Sequence, residues 1–302
     1  MNKFPKVAII LLNYNGLEDT IECLQSIKKN TSPNYELYLV DNCSNGGDVK
    51  VLKEQYASFY DSLMEIKPKN LGFTGGNNFA LNRLRDRKDI NYFLLLSNDI
   101  VADPNFLVEL VKIAESNPKI GIVGPKIYDY SFTGKTNVIQ SAGSKINLWF
   151  GKSDAIGGGQ IDRGQFNEAS QVDYVAGCCL LIKKELVEKI GLLNEKYFAY
   201  HEDTEWCMRA VKAGYLIFCA PESKIWHRGG ATFGEFSKTS AYYGTRNTFL
   251  FEKKYANPLQ FFCFFIYYFF KNFPRITGSI LLKRRDPVLL RSYFKGIKDG
   301  LI

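Results

Sequence analysis

Three features of the sequence predict an α/β fold built on a mostly parallel central sheet with flanking helices. Short runs are strongly apolar, apolar residues recur at helical spacing between them, and polar residues gather where the runs end. Val7 to Leu12 is apolar throughout, the pattern of a strand buried on both faces, and Leu17, Ile21, Leu24 and Ile27 follow at helical spacing. The alternation continues with a strand at 37–40, a helix at 49–56, a strand at 64–66 and a helix at 79–84. Next come a strand at 92–96, a helix at 106–114 that Pro104 begins with Asp103 as its cap, and a strand at 120–123.

From Phe132 to Gln171 the chain is rich in glycine and polar residues, and the reading is a long loop over one end of the sheet. A strongly apolar strand at 172–182 returns to the core. It is followed by helices near 184–190 and from His201 to a stop at Gly214, then by two strands at 216–219 and 224–226. No internal repeat is visible.

The 302 residues, 46% of them hydrophobic, suffice for one large domain or two smaller ones and exclude disordered and collagen-like classes. Charge is placed unevenly. From Lys253 onward there are 10 basic and 2 acidic residues, which accounts for the whole net charge of +8. Residues 1–252 are balanced, so the body lacks the basic face that nucleic-acid binding needs. The domain reading is therefore a catalytic region at 1–252 and a basic, aromatic helical extension at 253–302. Seven cysteines without a C-x-x-C pair read as reduced thiols of a cytoplasmic protein. The start reads as no secretory signal, and the longest apolar run, 261–270, is about half of what a membrane-spanning helix requires.

In a parallel sheet, ligands sit beyond the carboxyl ends of the strands. Those ends hold Asn13-Tyr-Asn-Gly16, Asp41-Asn-Cys-Ser44 and Ser97-Asn-Asp99. Turn and capping preferences explain each one singly, but three converging sets suggest a site. Asp41 is placed to accept hydrogen bonds from a base or ribose, unless it only closes a turn with Asn42 and Ser44. Asn70 to Asn78 reads as a glycine-rich loop opening a helix, whose N–H groups suit an anion; it is neither a P-loop nor G-x-G-x-x-G. Asp99, at a strand end, suits Mg2+ or Mn2+ held against a diphosphate. Glu202, Asp203 and Glu205 crowd a helix start, where acidic residues ordinarily complement the dipole and where a general base can also stand. His227 precedes Arg228-Gly-Gly230 and is either structural or a metal ligand.

Taken together and in order, these motifs resemble family 2 of the inverting glycosyltransferases with a GT-A fold, a Rossmann-like nucleotide-diphospho-sugar transferase architecture. The rhamnosyltransferase-like and galactofuranosyltransferase-like members are the most similar. The carrying segments are 7–16, Val40-Asp-Asn-Cys-Ser44, 70–78, Leu94 to Asp99, Gly177 to Ile182, Glu202-Asp203 and Trp226-His227. The resemblance implies that Asp41 reads the nucleobase and that Asn70, Gly72, Phe73 and Asn77 line the nucleotide and donor sugar, with Asn13, Asn15 and Asn98 beside them. It implies Asp99 and His227 as ligands of Mn2+ or Mg2+, and Asp203 as catalytic base with Glu202 as the fallback. Ser97 departs from the Asp or Asn usual at the first position of the metal motif.

The implied activity is metal-dependent transfer of a sugar from a UDP- or dTDP-sugar, dTDP-rhamnose among them. The acceptor is a glycan or lipid-linked glycan in cell-surface polysaccharide or glycoconjugate synthesis. A nucleotidyltransferase and a non-catalytic glycan- or membrane-binding module are the alternatives. The tail sets aromatic residues beside cationic ones, which suits an anionic membrane surface on the cytoplasmic side or, alternatively, packing on the body or in a homodimer.

Overall fold

Every residue of Val7–Asn13 is buried, so this first strand, β1, can only be a central one. The computed structural model describes residues 4–131, 133–229 and 237–302. In chain order β1 is followed by α1 (Leu17–Ile27), β2 (Tyr35–Asp41), α2 (Asp48–Gln55), β3 (Ser62–Glu65), α3 (Gly72–Leu84), β4 (Tyr92–Ser97) and β5 (Ile100–Ala102). Then come α4 (Phe106–Ser116), β6 (Ile120–Ser131), β7 (Gly134–Ser141), β8 (Ser144–Asn147), β9 (Lys152–Ala155), β10 (Ser170–Gln171), β11 (Cys179–Lys183), α5 (Lys184–Ile190), α6 (Glu202–Lys212) and β12 (Leu216–His227). The chain ends in α7 (Lys238–Tyr255), α8 (Pro258–Tyr267), α9 (Phe273–Gly278) and α10 (Pro287–Leu301).

The main sheet runs β10-β12-β6-β11-β4-β1-β2-β3. Strands β3, β2, β1 and β4 are mutually parallel, as are β6 and β12, and β11 joins the two sets antiparallel to both. Apolar residues of β1 alternate between the two faces. Ile9 and Leu11 pack with Cys23, Leu24 and Leu107, while Ala8 and Ile10 pack with Leu81, Leu180 and Trp206. Register brings the strand ends level: Asn13 lies opposite Asp41, which lies opposite Glu65, and Leu12 lies opposite Ser97.

Five sequence expectations are corrected. The segment Asn70 to Asn78 is helical from Gly72 onward rather than a loop. Its glycines serve close packing: a Cβ on Gly76 would fall 2.6 Å from Leu12 Cδ1, and one on Gly75 2.7 Å from Leu71 Cβ. The 132–171 excursion, apart from Phe132, which lies outside the described residues, carries the strands β7 to β10. Strand β7 exposes every other residue in its first half, and that solvated edge mimics loop composition. Lys126, fully buried on β6, anchors the following polar stretch through Asp162 at 2.9 Å and Asn167 at 2.8 Å. Helix α4 begins at Phe106 behind an Asn105 cap, with Asp103 turning the chain by accepting from Asn105 N–H at 2.9 Å. Finally, the 172–182 run is strand only from Cys179, and 216–227 is one strand with a bulge between Ala220 and Lys224.

The chain divides into two compact units at places other than 252/253. Among the described residues the first comprises 4–131, 133–144, 155–195 and 202–229, and the second 145–154, 196–201 and 237–302. Helices α7 and α10 of the second unit approach closely because Gly296 and Gly300 lack side chains: a Cβ on either would lie 2.6 Å from Tyr242 O or 2.8 Å from Arg246 O. Asn257 caps α8 reciprocally with Gln260, with Pro258 in the first turn. Pro274, in the first turn of α9, does not stop the helical path, which enters α9 from a π-helical turn at 268–272 and leaves it through another at 279–284. No helix among the described residues is long and apolar enough to cross a membrane.

Burial pushes the Glu252 carboxyl on α7 from 4.5 up to about 8. The folded chain keeps a proton that the unfolded chain releases, so this contribution to stability is full below about 4.5 and is lost as pH rises to about 8. Glu252→Gln should remove that loss. Variant and wild type should melt most alike below about 4.5, with the variant gaining progressively up to about 8, as thermal unfolding across pH will show.

Candidate active site

The level strand ends are tied by one buried amide. Asn13 donates to Asp41 Oδ2 at 2.8 Å, Ser44 Oγ at 3.2 Å and Asp48 Oδ2 at 3.2 Å, and its Oδ1 accepts from Thr20 Oγ1 at 2.7 Å and Asn98 Nδ2 at 3.4 Å. Asn98 donates also to Thr20 Oγ1 at 2.9 Å and Gly16 O at 3.2 Å. The NH2 groups of both side chains are spent on protein partners, so Asn13 and Asn98 tie the strand ends together. Asn15, exposed and at φ 50°, accepts from Asn45 N at 2.8 Å.

Asp41 is 2% exposed, and its Oδ1 takes the Ser44 N–H at 2.9 Å. It borders an open cleft of about 510 Å3 with Cys43, Ser44, Lys50, Glu65 and Lys67. Sequence reasoning missed Asn42, whose amide holds Asn70 Oδ1, Gly72 O and Leu71 N at 2.9 Å each and so fixes the start of α3. Farther along, the Asn77 amide donates to Phe73 O at 2.8 Å while its buried Oδ1 lacks a hydrogen-bond partner among the described residues.

Asp99 leaves the end of β4 and β5 follows it. Because β5 pairs antiparallel with β12, Ile100 stands opposite His227, and Arg228 N bonds Asp99 O at 3.0 Å. This clasp brings His227 Nε2 to 3.4 Å from Asp99 Oδ1. Burial pushes the Asp99 carboxyl up, but the hydrogen bond and charge of His227, helped by Arg228, outweigh it and hold the group below its ordinary value.

Two further residues, absent from the sequence reading, orient the imidazole. Asp129 Oδ1 is an acceptor, so the Gln140 group 3.2 Å from it is the NH2. Gln140 Oε1 then faces His227 Nδ1 at 2.7 Å and must accept its proton. His227 Nε2 and Asp99 Oδ1, both acceptors in their basic forms, are left facing one another. Such an edge is satisfied by a shared proton or by a cation, and an imidazole nitrogen with a carboxylate oxygen is a donor set that Mn2+ accepts. No cluster of three or more His, Cys, Asp and Glu ligands is present among the described residues. Any ion here takes its other ligands from water and substrate.

Asp203 stands in the first turn of α6, where Gly177 N–H reaches its Oδ2 at 2.8 Å and Thr204 N–H its Oδ1 at 2.6 Å. A Cβ on Gly177 would lie 3.3 Å from both Asp203 Cβ and the Phe73 ring, so the strand approach, the ring and the acid share one wall. The neighbouring Cys178 carbonyl accepts from Ser97 N at 2.9 Å, so the segment that holds Asp203 through Gly177 is bonded next to the strand end that leads to Asp99. Glu202 differs. Burial, then the Asp203 charge, raises its carboxyl well above the ordinary range, and its Oε2 has no partner among the described residues. Glu205 is buried and paired with Arg209 at 2.9 Å. His201 belongs to the second unit and bonds Thr248 at 3.1 Å. Gly230 lies outside the described residues.

The sheet order and strand-end site define a GT-A glycosyltransferase fold. GalNAc-T7, solved with UDP, GalNAc and Mn2+, shares it at a TM-score of 0.63 and 14% identity over 92% of this chain and 58% of that one. Residues 8–191 match the description Glycosyl transferase family 2, and the chain belongs to that family. The low-salt glycan biosynthesis hexosyltransferase Agl10 of Haloferax volcanii is 26% identical over 70% of this chain and 63% of its own length. The N-acetylglucosaminyl-diphospho-decaprenol L-rhamnosyltransferase of Mycobacterium tuberculosis is 23% identical over 75% of this chain and 77% of its own. This chain thus spans less than two thirds of the first relative.

Asn13→Asp should test the amide knot. A carboxylate there would face those of Asp41 and Asp48, and we expect a loss on the order of 3–5 kcal/mol at neutral pH. Denaturant unfolding at neutral and mildly acidic pH measures it, and the loss should shrink as the acids protonate.

Proposed function

We propose that the chain is an inverting glycosyltransferase that moves a sugar from a UDP- or dTDP-sugar, with rhamnose a leading donor sugar, to a glycan or lipid-linked acceptor. The observation that supports this reading is the pairing of Asp99 with His227 at 3.4 Å, next to the 177–178 segment whose Gly177 N–H holds Asp203, in a chain of family 2. Rhamnose is supported by the mycobacterial relative, which is named for rhamnosyl transfer to a diphospho-decaprenol acceptor.

In this reading the nucleotide lies along the strand ends, with its base in the cleft beside Asp41 and its sugar toward Phe73 and Asn77. Asp203 takes the proton of the acceptor hydroxyl as that oxygen attacks the anomeric carbon from the face opposite the diphosphate. The Gly177 and Thr204 N–H groups hold the carboxylate so that its remaining lone pairs point outward, and Phe73 shields it from water. Asp99 and His227 would hold a divalent ion, Mn2+ or Mg2+, which when bound offsets the charge on the leaving diphosphate. Gln140 and Asp129 keep His227 turned toward that position. The basic, aromatic second unit would keep the enzyme at an anionic membrane surface where a lipid-linked acceptor resides.

Two outcomes test the chemistry. Asp203→Asn should lower turnover roughly a hundred- to ten-thousandfold while donor affinity stays near wild type, read from steady-state kinetics and calorimetry; near-normal turnover would sink the assignment. Asp99→Ala and His227→Ala should abolish the Mn2+ dependence of UDP or dTDP binding, and Gln140→Leu should weaken Mn2+ affinity about 10–100-fold in titrations without turnover. Equal nucleotide binding with and without EDTA in the wild type would refute the metal role.

A further inference from the structure

The hairpin of β8 and β9 interrupts the sequence of the first unit yet belongs spatially to the second. Its tip carries Trp149 and Phe150, which are 42% and 41% exposed despite their size. The turn is built to show them. Asn147 accepts from Trp149 N through its side chain at 3.0 Å and from Phe150 N through its carbonyl at 3.3 Å. Gly151 follows at φ 58°, so close to α8 that a Cβ would meet the Phe264 ring at 2.4 Å.

The tip therefore rests on α8, with the Phe150 ring 4.9 Å from that of Tyr267. Lys152 and Lys271 flank the same ring, their ammonium groups 5.0 Å and 5.4 Å from its centre. From α8 into the following π-helical turn, Leu259, Phe262, Ile266 and Phe270 are exposed at spacings of three, four and four residues, a single apolar stripe. Arg275, Lys283, Arg284 and Arg285 are exposed nearby in the sequence.

Protein interfaces are depleted in lysine at their cores, whereas interfacial membrane segments pair Trp, Tyr and Phe with cations whose stems lie along the apolar layer. We propose that the 147–152 hairpin is an aromatic wedge that enters the headgroup layer of an anionic bilayer, with Lys152 and Lys271 at the phosphate level. The proposal rests on the membrane-surface reading above and adds an inserted element that the sequence places inside the catalytic region.

Trp149 reports on itself, because Trp206 is fully buried and Trp226 is part-buried in the first unit. The full chain is mixed at low salt with vesicles of phosphatidylcholine containing roughly one third phosphatidylglycerol, with and without brominated acyl chains. Bromolipid should quench a component of the tryptophan emission that Trp149→Phe lacks. A Trp149→Ser/Phe150→Ser variant should bind vesicles roughly tenfold more weakly while binding UDP or dTDP as wild type does. Vesicle binding with no Trp149 quenching and no loss in the double variant overturns the wedge and leaves the membrane reading standing. No binding by the wild type overturns both. Equal binding to pure phosphatidylcholine overturns the anionic specificity, and a concentration-dependent dimer that the double variant abolishes assigns the surface to a second copy.

Discussion

The buried amide of Asn13 is the interaction on which the site depends. One side chain joins the ends of β1 and β2, the starts of α1 and α2, and the turn that leads to Asp99. Its partners include two carboxylates, which in a buried setting need a donor common to both. The Asn13 amide is such a donor without adding charge. The cleft beside Asp41 and the approach to Asp99 therefore share one buried side chain, an amide with no exposed surface.

Much of this was legible in the sequence. Uninterrupted apolar runs revealed the parallel strands, because a strand buried on both faces leaves no polar alternation. Polar residues at their ends marked the site, and the joint order of the motifs led to the family. The roles of Asn13 and Asn98 were not legible: an asparagine at a strand end looks the same whether it meets a ligand or a neighbouring strand. Gly75 and Gly76 read as loop residues because composition does not distinguish conformational freedom from a need for closeness. Gln140 left no signal, since its function arises only when β7 and β12 bring residues 87 positions apart into contact.

Polar groups away from the strand ends follow a related logic. Lys126 is fully buried, yet Asp162 and Asn167 meet its ammonium, and Asp162 is in turn held at about 2, chiefly by the Tyr128 hydroxyl. A charge that would be costly alone becomes the reason that a glycine-rich, polar stretch keeps one course over the sheet. Glu252 takes the other solution available to buried acids, its carboxyl pushed up to about 8, and burial shifts Glu202 in the same direction.

The bulge in β12 has a mechanical consequence. Between Ala220, opposite Pro125, and Lys224, opposite Lys126, the strand takes up Pro221, Glu222 and Ser223 with no counterpart on β6. On both sides of this slack the strand pairs in parallel with β6, and downstream its last three residues also answer to β5. His227 is thus held from two sides, opposite Ile100 on β5 and opposite Asp129 on β6. The extra residues are not spare chain: Ser223 is fully buried and donates to Phe106 O at 2.8 Å, so the bulge fastens β12 to α4 at the point where the register of the strand resets.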